Sequence, residues 1–379
     1  MSRLRVSILC VVTILMTMPF QLFAASLTDI QPIVRQAPVP FPLSGKTVLA
    51  YEVAFNDPRP LGLELVACTV TNQDGKTVAS YDGSTLNEMV KLPDDRKVTE
   101  RAKQFSGILL RPVIFLWLSF SSDEPVPTAL GHQLVFADKD GTQATISVPN
   151  IELSASAPAA LPSPLTGPNW VATAAFANDT YHRRSLILID GKNYLAQRFA
   201  VDFVQYDNKG RLFTGNRSKN ESYPYYGAPV LSVAKATVCH IYDGVPDNTP
   251  GEFPPHDALT RDSVPGNHVI LDLGEGRYAL YGHLIPGSIT VKTGQAVDVG
   301  DVLARLGNSG NSDAPHLHFH LCDACDALAC EGLPFALNRY TAVGTAVPDI
   351  YEQGFGMTSH TPMPAVLTAM PNLTVMDMK

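Results

Sequence analysis

Dense runs of lysine or arginine are missing from this sequence, whose 28 basic residues stand against 36 acidic ones for a formal net charge of −8. A nucleic-acid partner leaves a basic footprint, so that class of function is set aside. Charge of either sign is sparse at 17%, against 45% hydrophobic residues, which excludes a chain disordered throughout. Beyond the N-terminus, no apolar run is long enough to span a bilayer. What the chain has in quantity is proline and glycine, 30 and 27 residues, which favours many short strands and turns over long helices. Its 379 residues suffice for two ordinary domains.

The first residues, MSRLRVSILCVVTILMTMPFQLFAAS, have the layout of a secretory signal peptide. Arg3 and Arg5 form the basic end, Val6 to Phe20 the apolar run, and Leu22-Phe23-Ala24 a cleavage site. Residues 1–24 are thus expected to be removed and the mature chain exported, to the periplasm or outside the cell; an uncleaved N-terminal anchor is the rival reading. Taking Arg3 and Arg5 away leaves 26 basic against 36 acidic residues, a charge of −10. Export permits disulfides. The five remaining cysteines, Cys68, Cys239, Cys322, Cys325 and Cys330, are odd in number, so at least one is unpaired or pairs between chains. Cys322-x-x-Cys325-x4-Cys330 suggests a disulfide close to a strand end, with a second metal site as the alternative and the connectivity open.

Residues 26–153 are expected to form an immunoglobulin-like β-sandwich. Thr47 to Phe55, Leu61 to Val70, Ile114 to Phe120, His132 to Phe136 and Thr145 to Val148 are apolar and β-branched, and Asn72-Gln73-Asp74-Gly75 and Asp138-Lys139-Asp140-Gly141 are turns between strands. This module has no cluster of catalytic residue types; His132 reads as structural, and the module as an accessory for positioning or binding a protein partner. Residues 154–168, rich in Pro, Ala and Ser, are expected to be a linker. A second β-rich domain follows over residues 169–335, with strands at Ser185 to Asp190, Arg198 to Tyr206, Val230 to Ile241, His268 to Leu273 and Arg277 to Leu284. Val245 to Pro265 is a Pro/Gly-rich insertion, either a cover for a cleft or an inert loop. Residues 336–379, with five methionines, are expected to be an irregular tail.

The stretch GNSGNSDAPHLHFHL, Gly307 to Leu321, concentrates the chemistry. As a strand, His316-Leu317-His318-Phe319-His320 places its three histidines on one face about 6.5 Å apart, with Leu317 and Phe319 turned to a core. An imidazole face suits a metal site, since neutral imidazole is the commonest metal ligand; a wet edge strand is the plain alternative.

Four motifs in order, Tyr281-Gly282-His283, Gly294-Gln295-Ala296-Val297-Asp298-Val299-Gly300, Gly307-Asn308-Ser309-Gly310-Asn311-Ser312 and Pro315-His316-Leu317-His318-Phe319, closely resemble those of the lysostaphin/LytM-type zinc metallopeptidases. Gly227-Ala228-Pro229-Val230 also fits, so the resemblance covers roughly Tyr225 to Leu321. It implies the family's antiparallel β-sheet domain, the duplicated hybrid motif, and a mainly β chain. It implies Zn2+ held by His318 and Asp202, with His283 and His316 as catalytic histidines flanking the reacting carbonyl. The family's first ligand motif is H-x-x-x-D, but Arg198 stands four residues before Asp202, and a guanidinium cannot ligate a metal. His182, in a resembling H-R segment upstream, is expected to supply the missing ligand by reaching the site if SLILID and RFAVDF pair as neighbours. Arg198 is then left for a substrate carboxylate or a structural acid. His320 stands where many members have glutamate, donating a hydrogen bond or simply solvated. His240, His256, His268 and His360 match no family position.

The function this implies is hydrolysis of peptide bonds in bacterial cell-wall peptidoglycan cross-bridges. Two alternatives remain: a degenerate domain that binds cell wall or activates another hydrolase, and a hydrolase for glycine-rich protein segments.

Overall fold

The computed structural model describes residues 27–92, 111–255, 258–348, 350–354 and 356–378. The signal-peptide reading of residues 1–24 lies outside them, as do Cys10 and His256. The described chain is mainly β, as its short apolar stretches and turn residues dictate. The turns close as their chemistry requires. Asn72 Oδ1 accepts from the backbone N–H of Asp74 and Lys76, and Asp138 Oδ1 from those of Asp140 and Thr142.

The N-terminal part is two antiparallel sheets enclosing one core. One sheet runs Ile33–Val34, Lys46–Ala54, Val113–Phe120, Val90–Lys91; the other runs Thr77–Asp82, Leu63–Asn72, Ala129–Asp138, Gln143–Glu152. Side-chain alternation decides which residues of Lys46–Ala54 enter this core. Leu49, Tyr51 and Val53 point into it with Phe136 and Leu134, while Val48 and Ala50 join the core of the second sheet system. The neighbouring Val113–Phe120 strand is divided in the same way: Ile114, Leu116 and Leu118 face inward, Val113 and Phe115 outward. Both strands are therefore buried on two faces, which is why they are nearly continuous apolar runs.

The second sheet system has twelve strands, and its centre carries the chemistry. Gly167–Thr173, Val201–Gln205, Leu317–Cys322, Tyr278–Leu284, Asn267–Asp272 and Ala236–Tyr242 lie side by side, each antiparallel to the next. Register sets Asp202 directly opposite His318, and His318 opposite Gly282. Phe41 joins the two parts, with its ring against Phe176, Phe199 and Trp117 at 5.5–5.9 Å.

Two expectations are corrected. Residues 336–379 are not an irregular tail: Phe335–Ala346, Met357–Thr368 and Thr374–Met378 are strands, and the last pairs with Gly167–Thr173 in the main sheet. Residues 154–168 are not wholly a linker either, because Ala159–Leu161 pairs in parallel with Phe335–Leu337. Sheet pairing across more than 170 residues recruits both segments, and neither shows clean alternation of its own.

Candidate metal centre and active site

Five of the side chains picked from the sequence converge at one end of the central strands. His182, Asp202 and His318 are buried, and they offer ligand atoms that all lie within 4.8 Å of one another. His318 Nδ1 is 2.9 Å from Asp202 Oδ1, and His182 Nε2 is 3.4 Å from Asp202 Oδ2. His316 Nε2 lies 3.5 Å from Asp202 Oδ1. The rings of His283 and His316 are 4.5 Å apart, and His283 lies 5.7 Å from His318. His320 is buried behind His318, which turns Nε2 to His320 Nδ1 at 2.9 Å. It is not solvated.

The second nitrogen of each ring is tied down, which fixes what the first can do. His182 Nδ1 donates to the Ala174 carbonyl at 3.1 Å, leaving Nε2 facing Asp202 with a lone pair. His283 Nδ1 donates to the Ser309 carbonyl at 2.7 Å, and His316 Nδ1 to that of Ala314 at 2.9 Å. With Nδ1 protonated, Nε2 of a neutral ring is an acceptor. His318 Nε2–H donating to His320 leaves the proton of neutral His320 on its own Nε2, which is buried without a partner.

The loop Gly307–Ser312 is the scaffold for these contacts. A Cβ on Gly307 would lie 2.5 Å from the backbone N of Ile285, and one on Gly310 2.3 Å from that of Gly266, so only glycine admits this approach. Ser312 Oγ donates to Asn308 Oδ1 at 2.6 Å. The insertion clamps the same loop: Asp247 Oδ1 accepts from the Asn308 N–H, and Asn248 Nδ2 donates to the carbonyls of Gly310 and Ser312, all at 2.8 Å. Its Phe253, Val264 and Pro265 line the cleft, so the segment is not an inert loop. His283 itself sits at φ 59°, a strained backbone for a histidine. It is held there by its N–H to the Pro265 carbonyl at 2.9 Å and its carbonyl to the Gly307 N–H at 3.0 Å.

Burial sets the protonation states. It pushes His182 down to about 4 against the pull of Asp202. Burial, reinforced by His316 and His318, holds His283 well below the ordinary range. For Asp202 burial acts upward, but the surrounding His182, His316 and His318 outweigh it and keep the carboxyl well below its usual value. At neutral pH Asp202 is thus a carboxylate and His182 a neutral imidazole, the ligating form of each.

His182 arrives by a route other than the expected one. Ile187–Ile189 pairs with Lys192–Tyr194, not with Val201–Gln205, and His182 comes in on the turn before it. Arg198 faces away from the cluster and is buried against Glu52 and Glu331, so it meets structural acids rather than a substrate. One site residue went unnoticed in the sequence although adjacent to His182. Tyr181 donates from its hydroxyl to Asp202 Oδ2 at 2.5 Å, and it is 66% exposed over the cleft. The cavity here measures about 530 Å³, and Phe253, 62% exposed, stands on its wall.

The cysteines pair as Cys239–Cys325 and Cys322–Cys330, with Cys68 free and buried. His320, Cys322 and Cys330 also lie within 4.8 Å of one another, but the two sulfurs are bonded together. The second metal site is replaced by a disulfide.

Residues 222–329 match the model of peptidase family M23. The match contains His283, His316 and His318 and leaves His182 and Asp202 outside it. No curated protein matches the chain. Among solved structures, it is similar to the catalytic domain of the prophage-encoded M23 protein EnpA from Enterococcus faecalis, 18% identical over 42% of this chain and 85% of that one, TM-score 0.25. The catalytic domain of lysostaphin from Staphylococcus simulans is 20% identical over 39% and 80%, TM-score 0.23. A zinc containing peptidase from Vibrio cholerae is 16% identical over 79% and 87%, TM-score 0.23.

Proposed function

We propose, from the match of residues 222–329 to the model of peptidase family M23, that this chain is a zinc metallo-endopeptidase of lysostaphin/LytM type. Its substrate is the peptide cross-bridge of bacterial peptidoglycan, met after export to the periplasm or cell exterior. The observation that carries the reading is the convergence of His182, Asp202 and His318 beside His283 and His316 in one cleft.

The donor set fits zinc. Two imidazoles and a carboxylate leave one tetrahedral position open, the composition of a catalytic rather than a structural site. Each ligand histidine also has the outer partner that a metal site needs: Ala174 behind His182 and His320 behind His318. When bound, zinc supplies Lewis-acid polarisation of a carbonyl and a water acidified to a pKa of about 7.

His283 and His316 do the proton work. One takes a proton at Nε2, made an acceptor by the carbonyl bond at its Nδ1, and returns it to the leaving amine. The other faces the tetrahedral oxyanion and donates to it from Nε2 only when a second proton has been taken up there. Phe253 and Tyr181 stand on the cleft wall beside these histidines.

The test is digestion of purified sacculi by the zinc-loaded chain, with released fragments and new amine termini read by mass spectrometry. Soluble peptides are expected, lost with a chelator and restored by zinc. His283→Ala and His316→Ala should each lower turnover by about 10²- to 10⁴-fold while retaining zinc. No fragments from zinc-loaded protein would leave a non-cutting binder or activator. Cleavage of glycine-rich peptides but not sacculi would change the substrate.

A further inference from the structure

His182 rides on a segment with little support from its own domain. Residues 178–185 pair with no strand, and the turn is closed locally by Arg184 N–H to Tyr181 O and Ser185 N–H to His182 O. Most of what anchors it comes from the N-terminal sandwich. Arg183, adjacent to His182 and 1% exposed, donates from Nη2 to the carbonyls of Tyr51 and Leu116 at 3.0 and 3.2 Å, and from Nη1 to the Glu52 carboxylate. Its guanidinium lies 5.0 Å from the centre of the Phe115 ring. Asn178 Nδ2 donates to the Phe115 carbonyl at 3.3 Å, and Lys91 Nζ to that of Arg184 at 2.9 Å.

Glu52 also holds the other ligand-bearing segment. Arg198, four residues before Asp202, donates from Nε to both Glu52 oxygens at 2.9 and 3.1 Å and from Nη2 to Oε2 at 2.8 Å. A second carboxylate, Glu331, takes Arg198 Nη2 at 2.6 Å and Arg35 Nη2 at 2.5 Å. Alternation puts Glu52 on this face, since its neighbours Tyr51 and Val53 fill the sandwich core.

We infer that Glu52 is a positioning residue of the metal centre: by gripping Arg183 and Arg198 together, it sets His182 against Asp202, so that the N-terminal sandwich builds part of the site. This rests on His182 being a ligand. The sequence departure then has a cause. The residue four before Asp202 has turned from the metal to the sandwich, and the sandwich has brought in a histidine from elsewhere.

The experiment uses the full mature chain, loaded with zinc and titrated with a competing chelator, as wild type, Glu52→Gln, His182→Ala and the double variant. Far-ultraviolet circular dichroism follows the fold, and the cobalt-substituted absorption spectrum follows ligand geometry. Glu52→Gln should stay folded, release zinc about 10- to 100-fold more readily and show an altered cobalt spectrum. Because Glu52 acts through His182, the double variant should hold zinc no more weakly than His182→Ala alone. Arg183→Lys, which cannot fork between Glu52 and two carbonyls, should repeat the loss and covers the case in which Glu52→Gln fails to fold. Wild-type zinc affinity in Glu52→Gln or Arg183→Lys, with His182→Ala impaired, would overturn the inference alone. Losses that add in the double variant would do the same. Wild-type affinity in His182→Ala would overturn both the inference and the ligand reading beneath it.

Discussion

Two buried polar clusters stand next to each other in this molecule, drawn from the same two segments. Arg183 and Arg198 belong to one, His182 and Asp202 to the other. In the first, each guanidinium meets a carboxylate, and the void lined by Glu52 and Arg198 is only about 20 Å³, room for one water. In the second, a single carboxylate sits among three histidines, and the cluster opens on a cavity of about 530 Å³. Closed charge pairing gives a joint between domains; surplus ring nitrogens beside a cavity give a site. His182 and Arg183 are adjacent in a turn, and Arg198 lies ahead of the strand Val201–Gln205 that carries Asp202, so each pair can part to opposite sides.

The largest effect should come from exchanging roles. Asp202→Asn is expected to abolish zinc retention and hydrolysis while leaving the thermal midpoint near wild type. Glu52→Ala leaves the buried Arg183 without a carboxylate and Arg198 with Glu331 alone, and should cost on the order of 3–5 kcal/mol of stability. If Asp202→Asn proved the more destabilising of the two by denaturant titration, the division between joint and site would be wrong.

Acid should separate the clusters next. The flanking arginines, Arg198 before Arg183, overcome the burial of Glu52 and bring its pKa from 4.5 down to about 2. A depressed carboxyl stabilises the fold above its unfolded value, so this contribution should fade as pH falls from 4.5 toward 2. In the other cluster burial lowers His182 from 6.5 to about 4, as it does His132 in the sandwich. The unfolded chain then takes up the proton first, and stability should already fall between pH 6.5 and 4. Urea titrations of the zinc-free chain should reveal both losses, and Glu52→Gln should lack the lower one. An unchanged lower loss in that variant would contradict the assignment to Glu52.

The smallest expected effect is at the seam. His320 accepts from His318 and has no partner at Nε2. His320→Ala should weaken zinc by about 10-fold, and His320→Glu, which restores an acceptor for His318, should recover most of it. Equal affinity for all three proteins would remove His320 from the account.

The half that matches the family model was legible because its residues are close in sequence and constrained locally. The loop Gly307–Ser312 needs glycine where backbones touch, and His316 and His318 follow it directly. His182 was legible only as a replacement for a ligand missing at Arg198, and the strand pairing invoked to deliver it does not exist. Glu52 left no local trace. The run from Thr47 to Phe55 reads as one strand of a sandwich, and nothing in it tells that its second face is buried against a distant sheet. Of the C-terminal strands, Thr374–Met378 pairs with the distant Gly167–Thr173, whereas Phe335–Ala346 and Met357–Thr368 pair with each other through a register shift that blurs their alternation. Met370, Met376 and Met378 fill the core there, although methionine gives no strand signal.

The most direct measurement is zinc per chain in the mature wild-type protein and in His182→Ala, prepared without chelator and supplied with zinc. One zinc per wild-type chain, falling sharply in the variant, is the expected result, and it would make the upstream turn the source of the third ligand. Undiminished zinc in the variant would contradict that ligand set. Little zinc in either protein would contradict the metallopeptidase reading and favour a domain that binds without cutting.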